Sequence, residues 1–281
     1  LVEAWVEGFQ QNVRFTLDGK IQDARVMDGH AQSMFCLENV HLWNGVADPY
    51  LYTVKAELES GDCVEAAFGC RTIGFDAEKG FVLNGRPYRL CGAARHQDRQ
   101  GIGNALTKQE HNEDMALLRE MGANTVRLAH YQHDQYFYDL CDRYGLIVWA
   151  EIPYITEHMP EARENTLSQM TELIVQNYNH PSIVCWGLSN EITAAGGVSE
   201  DMRENHRLLN ELCHQLDGTR PTVMAHAFML DMNDPFVMFA DIRSYNLYYG
   251  WYLAEKEDND IWFDEFHAAH PEAVIGLSEY G

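Results

Sequence analysis

The chain has 281 residues, of which 46% are hydrophobic and 11% aromatic, a composition that can fill a sizeable core and excludes a disordered protein. Its 43 acidic and 20 basic side chains give a formal net charge of −23, which argues against binding to nucleic acid or anionic membranes and suits a neutral substrate such as a sugar. No apolar run approaches the roughly 20 residues needed to span a bilayer.

The cysteines predict a reducing environment. There are seven, an odd number, scattered along the chain without a Cys-x-x-Cys pair. A disulfide framework or a zinc site would need paired spacings, so we expect free thiols and a cytoplasmic protein. The chain begins at Leu1, inside a strand-like pattern. We therefore expect further natural sequence before Leu1, and a periplasmic or secreted location stays open.

Residues 1–75 alternate between apolar and polar side chains. Val13, Phe15 and Leu17 show this period of two, and a turn-forming Asp-Gly pair follows them at 18–19. Short alternating strands separated by such turns predict an immunoglobulin-like β-sandwich over this region, incomplete at its N-terminal end.

Residues 76–281 change to an alternation of strands and helices. A capping box at Thr107–Glu110 predicts the start of a first helix, and Gly122 predicts its end. Apolar residues at helical spacing predict three more helices, within 137–144, 167–178 and 202–216. The predicted strands are 88–96, 124–130, 146–152, 183–191, 221–227, 241–248 and 273–280.

The strands predicted at 146–152 and 183–191 are nearly continuous apolar runs, which is typical of buried parallel strands. Seven strand–helix units favour a (β/α)8 TIM barrel whose eighth unit we expect after Gly281. A doubly wound open sheet is the alternative, but no Gly-x-Gly-x-x-Gly follows the first strand.

Polar side chains follow almost every predicted barrel strand. The active site of a TIM barrel lies at the carboxyl ends of its strands, so these side chains should converge there. They are His96, Asp98, Arg127, His130, Glu151, Asn190, Glu191, Asn246, Tyr248 and Glu279.

Glu191 and Glu279 end the fourth and seventh strands, which lie across a barrel from each other. Cleavage of a glycosidic bond needs one carboxyl group to protonate the leaving group and a second to face the anomeric carbon. In retaining enzymes the second carboxylate forms a covalent glycosyl intermediate. Glu191 and Glu279 therefore satisfy the geometry of such a pair in principle.

Several blocks of the sequence resemble glycoside hydrolase family 2, which contains β-galactosidases, β-glucuronidases and β-mannosidases. Trp186–Glu191 resembles the acid/base signature, and Ile275–Gly281 resembles the nucleophile segment. Further similar blocks, in family order, are 95–98, 126–131, 148–153 and 245–251. The segment from Leu42 to Tyr52 resembles the sandwich that precedes the family's barrel, so the resemblance covers nearly the whole chain.

This resemblance implies a retaining mechanism with Glu191 as general acid/base and Glu279 as nucleophile. It implies that Asn190 binds the sugar 2-hydroxyl and that Tyr248 donates to Glu279 and helps to keep it ionised. The other residues it places around the substrate are His96, Asp98, Arg127, His130 and Asn246. Glu151 either contacts the ligand or holds its loop through a buried salt bridge.

Trp251 is expected either to form an aromatic wall for a sugar or to pack at the base of its loop. We expect no cofactor. Some β-galactosidases of the family hold magnesium with a Glu and a His after the third strand, but the aligned positions here are Ile155 and Glu157, with His158 one residue further on. A second departure from the family pattern is Ala94, where many members carry Asn.

The resemblance favours terminal β-D-galactosides as substrates. β-Glucuronides and β-mannosides are the alternatives; family β-glucuronidases bind the substrate carboxylate with an Asn-x-Lys motif that would lie beyond Gly281. A non-catalytic sugar-binding protein and a metal-dependent barrel hydrolase are weaker alternatives. We expect a carbohydrate partner, no nucleic-acid or membrane partner, and leave open a homo-oligomer.

Overall fold

The computed structural model describes residues 1–8 and 11–280, and its N-terminal part is built from antiparallel strands. They are β1 (Val2–Trp5), β2 (Asn12–Leu17), β3 (Lys20–Arg25), β4 (His30–Ser33), β5 (Tyr52–Leu58) and β6 (Cys63–Phe68). One sheet has the order β3-β2-β5-β6, and β1 pairs with β4. The predicted alternation is present in β2, because Val13, Phe15 and Leu17 are all buried.

A three-stranded antiparallel sheet lies beneath the barrel, with strands β7 (Ile73–Asp76), β8 (Gly80–Leu83) and β9 (Arg86–Pro87). Phe81 and Leu83 form a buried cluster with Trp43, from the N-terminal part. Their partners are residues at the beginnings of barrel strands, such as Ile147 and Val184. This sheet therefore closes the amino-terminal end of the barrel, opposite the end where polar residues were predicted.

The remaining strands form one parallel seven-stranded sheet in chain order. They are β10 (Gly92–Arg95), β11 (Thr125–Leu128), β12 (Ile147–Glu151), β13 (Ile183–Asn190), β14 (Thr222–Ala227), β15 (Ile242–Asn246) and β16 (Ile275–Glu279). Every residue of β13 and β14 is buried, and burial on both faces explains the apolar run at the start of β13. The TIM-barrel fold with a preceding sandwich is confirmed.

Five α-helices pack outside this sheet within the described residues: α1 (Lys108–Glu120), α2 (Gln135–Tyr144), α3 (Arg163–Asn177), α4 (Glu200–Leu216) and α5 (Asp258–Ala269). Thr107 and Glu110 make the predicted capping box at the start of α1. Short 3-10 helices occupy Gly45–Ala47, Pro160–Ala162 and Pro235–Met238. The first four α-helices were predicted from the sequence, whereas α5 was not.

Over residues 1–8 and 11–280, none of the helices is both long and apolar enough to cross a membrane.

Candidate active site

Arg127, at the carboxyl end of β11, is the centre of the polar cluster. Its guanidinium group donates to both carboxylate oxygens of Glu151 at 2.9 and 3.0 Å, to Glu279 Oε1 at 2.6 Å and to Asn190 Oδ1 at 2.7 Å. The side chain is only 5% exposed. Burial alone would lower the pKa of Arg127, but the charges of Glu151 and Glu279 outweigh burial and raise it. Arg127 is therefore a permanent cation shared by two carboxylates.

Glu279 ends β16 and is partly buried. Its Oε1 accepts from Arg127, and its Oε2 accepts a hydrogen bond from the hydroxyl of Tyr248. Burial raises the pKa of Glu279, but the hydrogen bond from Tyr248 and the charge of Arg127 outweigh burial, so the pKa lies below its ordinary value. Glu279 is thus an ionised carboxylate at neutral pH. This contact is the one that the resemblance implied for Tyr248.

Glu191 follows the last residue of β13. Its backbone has φ 45°, in the left-handed region that non-glycine residues rarely adopt, and its N–H donates to the C=O of Ala225 at 2.8 Å. Among the described residues, none donates a hydrogen bond to its carboxylate. Burial first, then the hydrogen bond to Glu279 and the negative charges of Glu279 and Glu191, raise the pKa of Tyr248. The charges of both glutamates therefore act on the phenol of Tyr248.

Asn190 and Asn246 lie side by side at the floor of the site. Asn246 Nδ2 donates to Asn190 Oδ1 at 3.2 Å, and Ser278 Oγ donates to Asn246 Oδ1 at 2.7 Å. Because Asn190 Oδ1 also accepts from Arg127, its amide is oriented by two donors. Within the described residues, the Nδ2 group of Asn190 has no side-chain acceptor.

His130 lies close to the carboxylates of Glu151 and Glu279. Its Nδ1 is 2.6 Å from Glu151 Oε1, and its Nε2 is 3.8 Å from Glu279 Oε1. Glu151 is 1% exposed and fully used by Arg127 and His130. Of the two roles considered for Glu151, the geometry therefore supports the buried salt bridge.

The site thus contains the ionised carboxylate of Glu279 at the end of β16 and the carboxyl group of Glu191 after β13, which accepts no hydrogen bond from the described residues. Glycosidic cleavage uses two carboxyl groups in different roles. The family model for the TIM-barrel domain of glycosyl hydrolases family 2 matches residues 77–281, and a second model described as glycosyl hydrolases family 2 matches residues 6–75. The chain belongs to glycoside hydrolase family 2.

The relatives within family 2 differ from one another in the activity that their names give. A β-glucuronidase from Bacteroides fragilis is 42% identical over 258 residues, 87% of this chain and 36% of the relative. A β-galactosidase from Thermoanaerobacterium thermosulfurigenes is 33% identical over 207 residues, 70% of this chain and 27% of the relative. The chain therefore spans about a third of the length of these curated relatives.

A solved structure of an FMN-binding β-glucuronidase from Facaelibacterium prausnitzii L2-6 superimposes with a TM-score of 0.90 at 41% identity, covering 96% of this chain and 43% of that one. The predicted family is thus confirmed. Membership alone does not decide between the β-galactoside and β-glucuronide predictions, because both activities occur among the relatives.

Three of the predicted site residues are exposed. His96 is exposed, with its ring in an edge contact 5.1 Å from that of His130. Trp251 is 68% exposed and lies 6.0 Å from the ring of Tyr252, which favours the aromatic wall over packing at the loop base. Asp98 is exposed, and in the described residues its carboxylate has no hydrogen-bond partner. The structure therefore does not bring Asp98 into the cluster.

The residues considered for magnesium do not fit a metal site. Glu157 is exposed, and both ring nitrogens of His158 are engaged: Nδ1 lies 2.5 Å from the hydroxyl of Tyr154 and Nε2 lies 2.8 Å from Asp201 Oδ2. In the described part of the chain, no cluster of three or more potential ligands has metal-binding geometry.

Three residues that contact the site were not predicted from the sequence: Trp149, Gly187 and Ser278. The guanidinium of Arg127 lies 4.8 Å above the ring of Trp149. Trp149 is two residues before Glu151 on β12, so the strand period of two could have placed it on the same face. Ser278 directly precedes the nucleophile candidate, and no pattern in the sequence distinguished it.

Proposed function

We propose that this chain carries the catalytic centre of a retaining β-glycosidase, with Glu279 as nucleophile and Glu191 as general acid/base. The observation that supports this most is the asymmetry of the two carboxylates. Glu279 is held ionised by Arg127 and Tyr248, whereas the carboxylate of Glu191 accepts no hydrogen bond from the described residues. One carboxylate is prepared for attack, and the other is free to exchange a proton with the substrate.

In the first step Glu279 attacks the anomeric carbon, and the bond to the leaving oxygen breaks as Glu191 donates a proton to that oxygen. The product is a glycosyl ester of Glu279 and a free alcohol. In the second step Glu191 removes a proton from water, and the water displaces Glu279 with net retention of configuration. Asn190, oriented by Arg127 and Asn246, donates to the sugar 2-hydroxyl.

For the glycone, we propose a β-glucuronide. The support is comparative: β-glucuronidases from Bacteroides fragilis, at 42% identity, and from Facaelibacterium prausnitzii, at 41%, are similar over most of this chain. Arg127 is buried and bound to Glu151 and Glu279, so it has little capacity left for a substrate carboxylate. The cation that would bind the uronate must therefore come from elsewhere in the protein.

A β-galactoside is the second candidate, on the strength of the β-galactosidase at 33% identity and of the preference drawn from the sequence. The net charge of −23 also makes a neutral glycone electrostatically easier to approach than an anionic one.

The test is to assay the full-length protein with matched 4-nitrophenyl β-glucuronide, β-galactoside and β-mannoside. The proposal expects kcat/KM to be highest for the glucuronide by at least about tenfold, or about 1.4 kcal/mol of transition-state discrimination. Preferential cleavage of the galactoside would support the second candidate instead. NMR of the first sugar released should show the β-anomer; the α-anomer would contradict retention.

Two variants connect the activity with the proposed residues. Replacement of Glu279 by Gln removes the nucleophile and should lower kcat for the best substrate by several orders of magnitude. Replacement of Glu120 by Gln makes the same change at an exposed position at the end of α1, away from the cluster, and serves as control. Added chelator should leave turnover of the wild-type protein unchanged, since the proposed mechanism uses no metal.

A further inference from the structure

The segment after β12 lies against the strand end that carries Glu191. The N–H of Asn190 donates to the C=O of Tyr154 at 3.0 Å, and the N–H of Thr156 donates to the C=O of Asn190 at 3.0 Å. Beyond Glu191, the N–H of Ala195 donates to the C=O of Thr156 at 3.1 Å. The backbone on both sides of Glu191 is therefore fixed by this segment.

The segment adopts a strained conformation at Thr156. This β-branched residue has φ 65°, in the left-handed region. For such a residue the conformation costs about 1–3 kcal/mol and persists only where the surrounding structure enforces it. The backbone hydrogen bonds of Thr156 and the side-chain contacts of the segment together enforce this conformation.

A chain of side-chain hydrogen bonds supplies these contacts. The hydroxyl of Tyr154 lies 2.5 Å from His158 Nδ1, and His158 Nε2 lies 2.8 Å from Asp201 Oδ2. Asp201 also accepts a hydrogen bond from Arg163, the first residue of α3. Tyr154 is buried, and the His158 side chain is 6% exposed. We call Tyr154, His158 and Asp201 the relay.

The hydrogen bonds of the relay have assignable donors and acceptors. The hydrogen bond from His158 lowers the pKa of Asp201, and this carboxylate therefore accepts from Nε2–H. Burial raises the pKa of Tyr154 to about 12, so its hydroxyl keeps its proton at neutral pH and can donate to Nδ1 in the tautomer that carries its proton on Nε2. Each donor in the relay can therefore be matched with an acceptor.

The relay joins the two ends of the loop that begins at Glu191. Asp201 lies in the first turn of α4, the helix that follows this loop, and Tyr154 contacts the strand end before it. The ring of Tyr154 also lies 5.0 Å from that of His206, whose Nε2 is 2.8 Å from Ser189 Oγ. Hydrogen bonds and ring contacts therefore connect the loop after Glu191 with the end of β13.

We propose that Tyr154, His158 and Asp201 are positioning residues that hold Glu191 where it can exchange a proton with the glycosidic oxygen. The inference rests on the proposed role of Glu191. It also gives a reason for the poor fit of the metal: His158 uses both ring nitrogens for positioning.

The decisive variants are His158→Ala and Tyr154→Phe, assayed in the full-length protein with aryl β-glycosides of increasing leaving-group pKa. A dinitrophenolate leaves without protonation, whereas an unsubstituted phenolate needs Glu191. For phenyl glycosides kcat/KM should fall by about tenfold to a hundredfold, part of the effect of general acid catalysis. For dinitrophenyl glycosides it should change by less than about threefold.

The matched control is His180→Ala. His180 pairs with Asp142 at 2.6 Å and is similarly buried, but it precedes β13 and lies at the other end of the barrel. This variant should lower thermal stability without a dependence on the leaving group. The proposal is wrong if His158→Ala slows all leaving groups equally or none, or if His180→Ala shows the same dependence.

Glucuronides and galactosides are both included in the series, because the leaving-group dependence does not require a particular glycone. If the wild-type protein cleaves neither, the proposed function fails, and the relay is then judged by hydrogen exchange alone. Amides in 189–196 should exchange faster in His158→Ala than in the wild-type protein and unchanged in His180→Ala. Equal exchange in all three proteins would overturn the relay independently of activity.

Discussion

Glu279 keeps its charge in a partly buried site because two neighbours offset the cost of burial. Burial raises its pKa, whereas the hydroxyl of Tyr248 and the guanidinium of Arg127 lower it, and the net direction is downward. The nucleophile of the proposed mechanism must be ionised before attack. The acid limb of the pH profile should therefore report on these two contacts.

Replacement of Tyr248 by Phe removes one of the groups that lower the pKa of Glu279 and leaves Arg127 in place. The pKa of Glu279 should then rise, so a larger fraction is protonated at acidic pH. We expect the acid limb of kcat/KM to move to higher pH, measured from pH 4 to 8 with the best aryl glycoside.

The matched control for this change is Tyr249→Phe. The Tyr249 hydroxyl is next in sequence, but the charges that act on it are those of Asp258 and Glu265. Its removal should leave the acid limb where it is in the wild-type protein. An acid limb that stays in place or moves to lower pH in Tyr248→Phe would contradict the assigned role of this tyrosine.

At the scale of single elements, β12 and β13 approach each other closely beneath the site, and Gly187 permits this. A Cβ atom at Gly187 would lie 2.4 Å from Glu151 Cβ and 2.7 Å from Trp149 Nε1. Glu151 in turn holds Arg127 through two hydrogen bonds. The spacing of two strands thus controls the position of the central cation.

Replacement of Gly187 by Ala should force β12 and β13 apart and displace Glu151. Overpacking of this kind costs about 1–3 kcal/mol, so we expect the melting temperature to fall by several degrees and kcat to fall with it. Gly218→Ala is the control, because Gly218 follows α4 at the other end of the barrel and a Cβ atom there meets only the C=O of His214 at 3.9 Å. Wild-type stability and activity in Gly187→Ala would show that the strands can separate without cost.

The barrel strands could be predicted because burial on both faces leaves a continuous apolar sequence, as in β13. α5 was less evident, because the exposed Ile261 extends the apolar side chains beyond the face that Trp262 and Phe263 share with Phe266. Its start also lacks a side-chain cap. Elements that are only partly buried carry a weaker pattern.

The same difference applies to the site. Arg127, Glu151 and Glu279 could be predicted to meet because each lies at the carboxyl end of a parallel strand. The pairing of His158 with Asp201 could not, because it joins a loop to a helix start and depends on tertiary packing. No periodicity of the sequence encodes such a contact.

At the scale of the whole molecule, the two ends of the barrel carry different kinds of side chain. The carboxyl ends carry the polar cluster, and the amino-terminal end is closed by apolar residues from the preceding part of the chain. Trp43 is fully buried there, and its Nε1 donates to the C=O of Asp142 at 2.9 Å. Arg71 donates to the C=O groups of Pro181 and Ile183. Sandwich and barrel are therefore joined by both packing and hydrogen bonds.

Replacement of Trp43 by Ala should destabilise the protein without altering the chemistry. Loss of a fully buried tryptophan costs about 3–5 kcal/mol, and the donor to Asp142 is lost with it. We expect an earlier unfolding transition in urea. At temperatures where the variant stays folded, kcat should remain close to that of the wild-type protein, because Trp43 lies at the end of the barrel opposite Glu279.

Trp5→Ala is the control for this experiment, because Trp5 is 78% exposed and its truncation should change stability by less than about 0.5 kcal/mol. Equal stability of the two variants would mean that the sandwich does not support the barrel. A large loss of kcat in folded Trp43→Ala would mean that the closed end of the barrel communicates with the site. Separate effects on stability and on kcat are what a barrel with one sealed end and one reactive end requires.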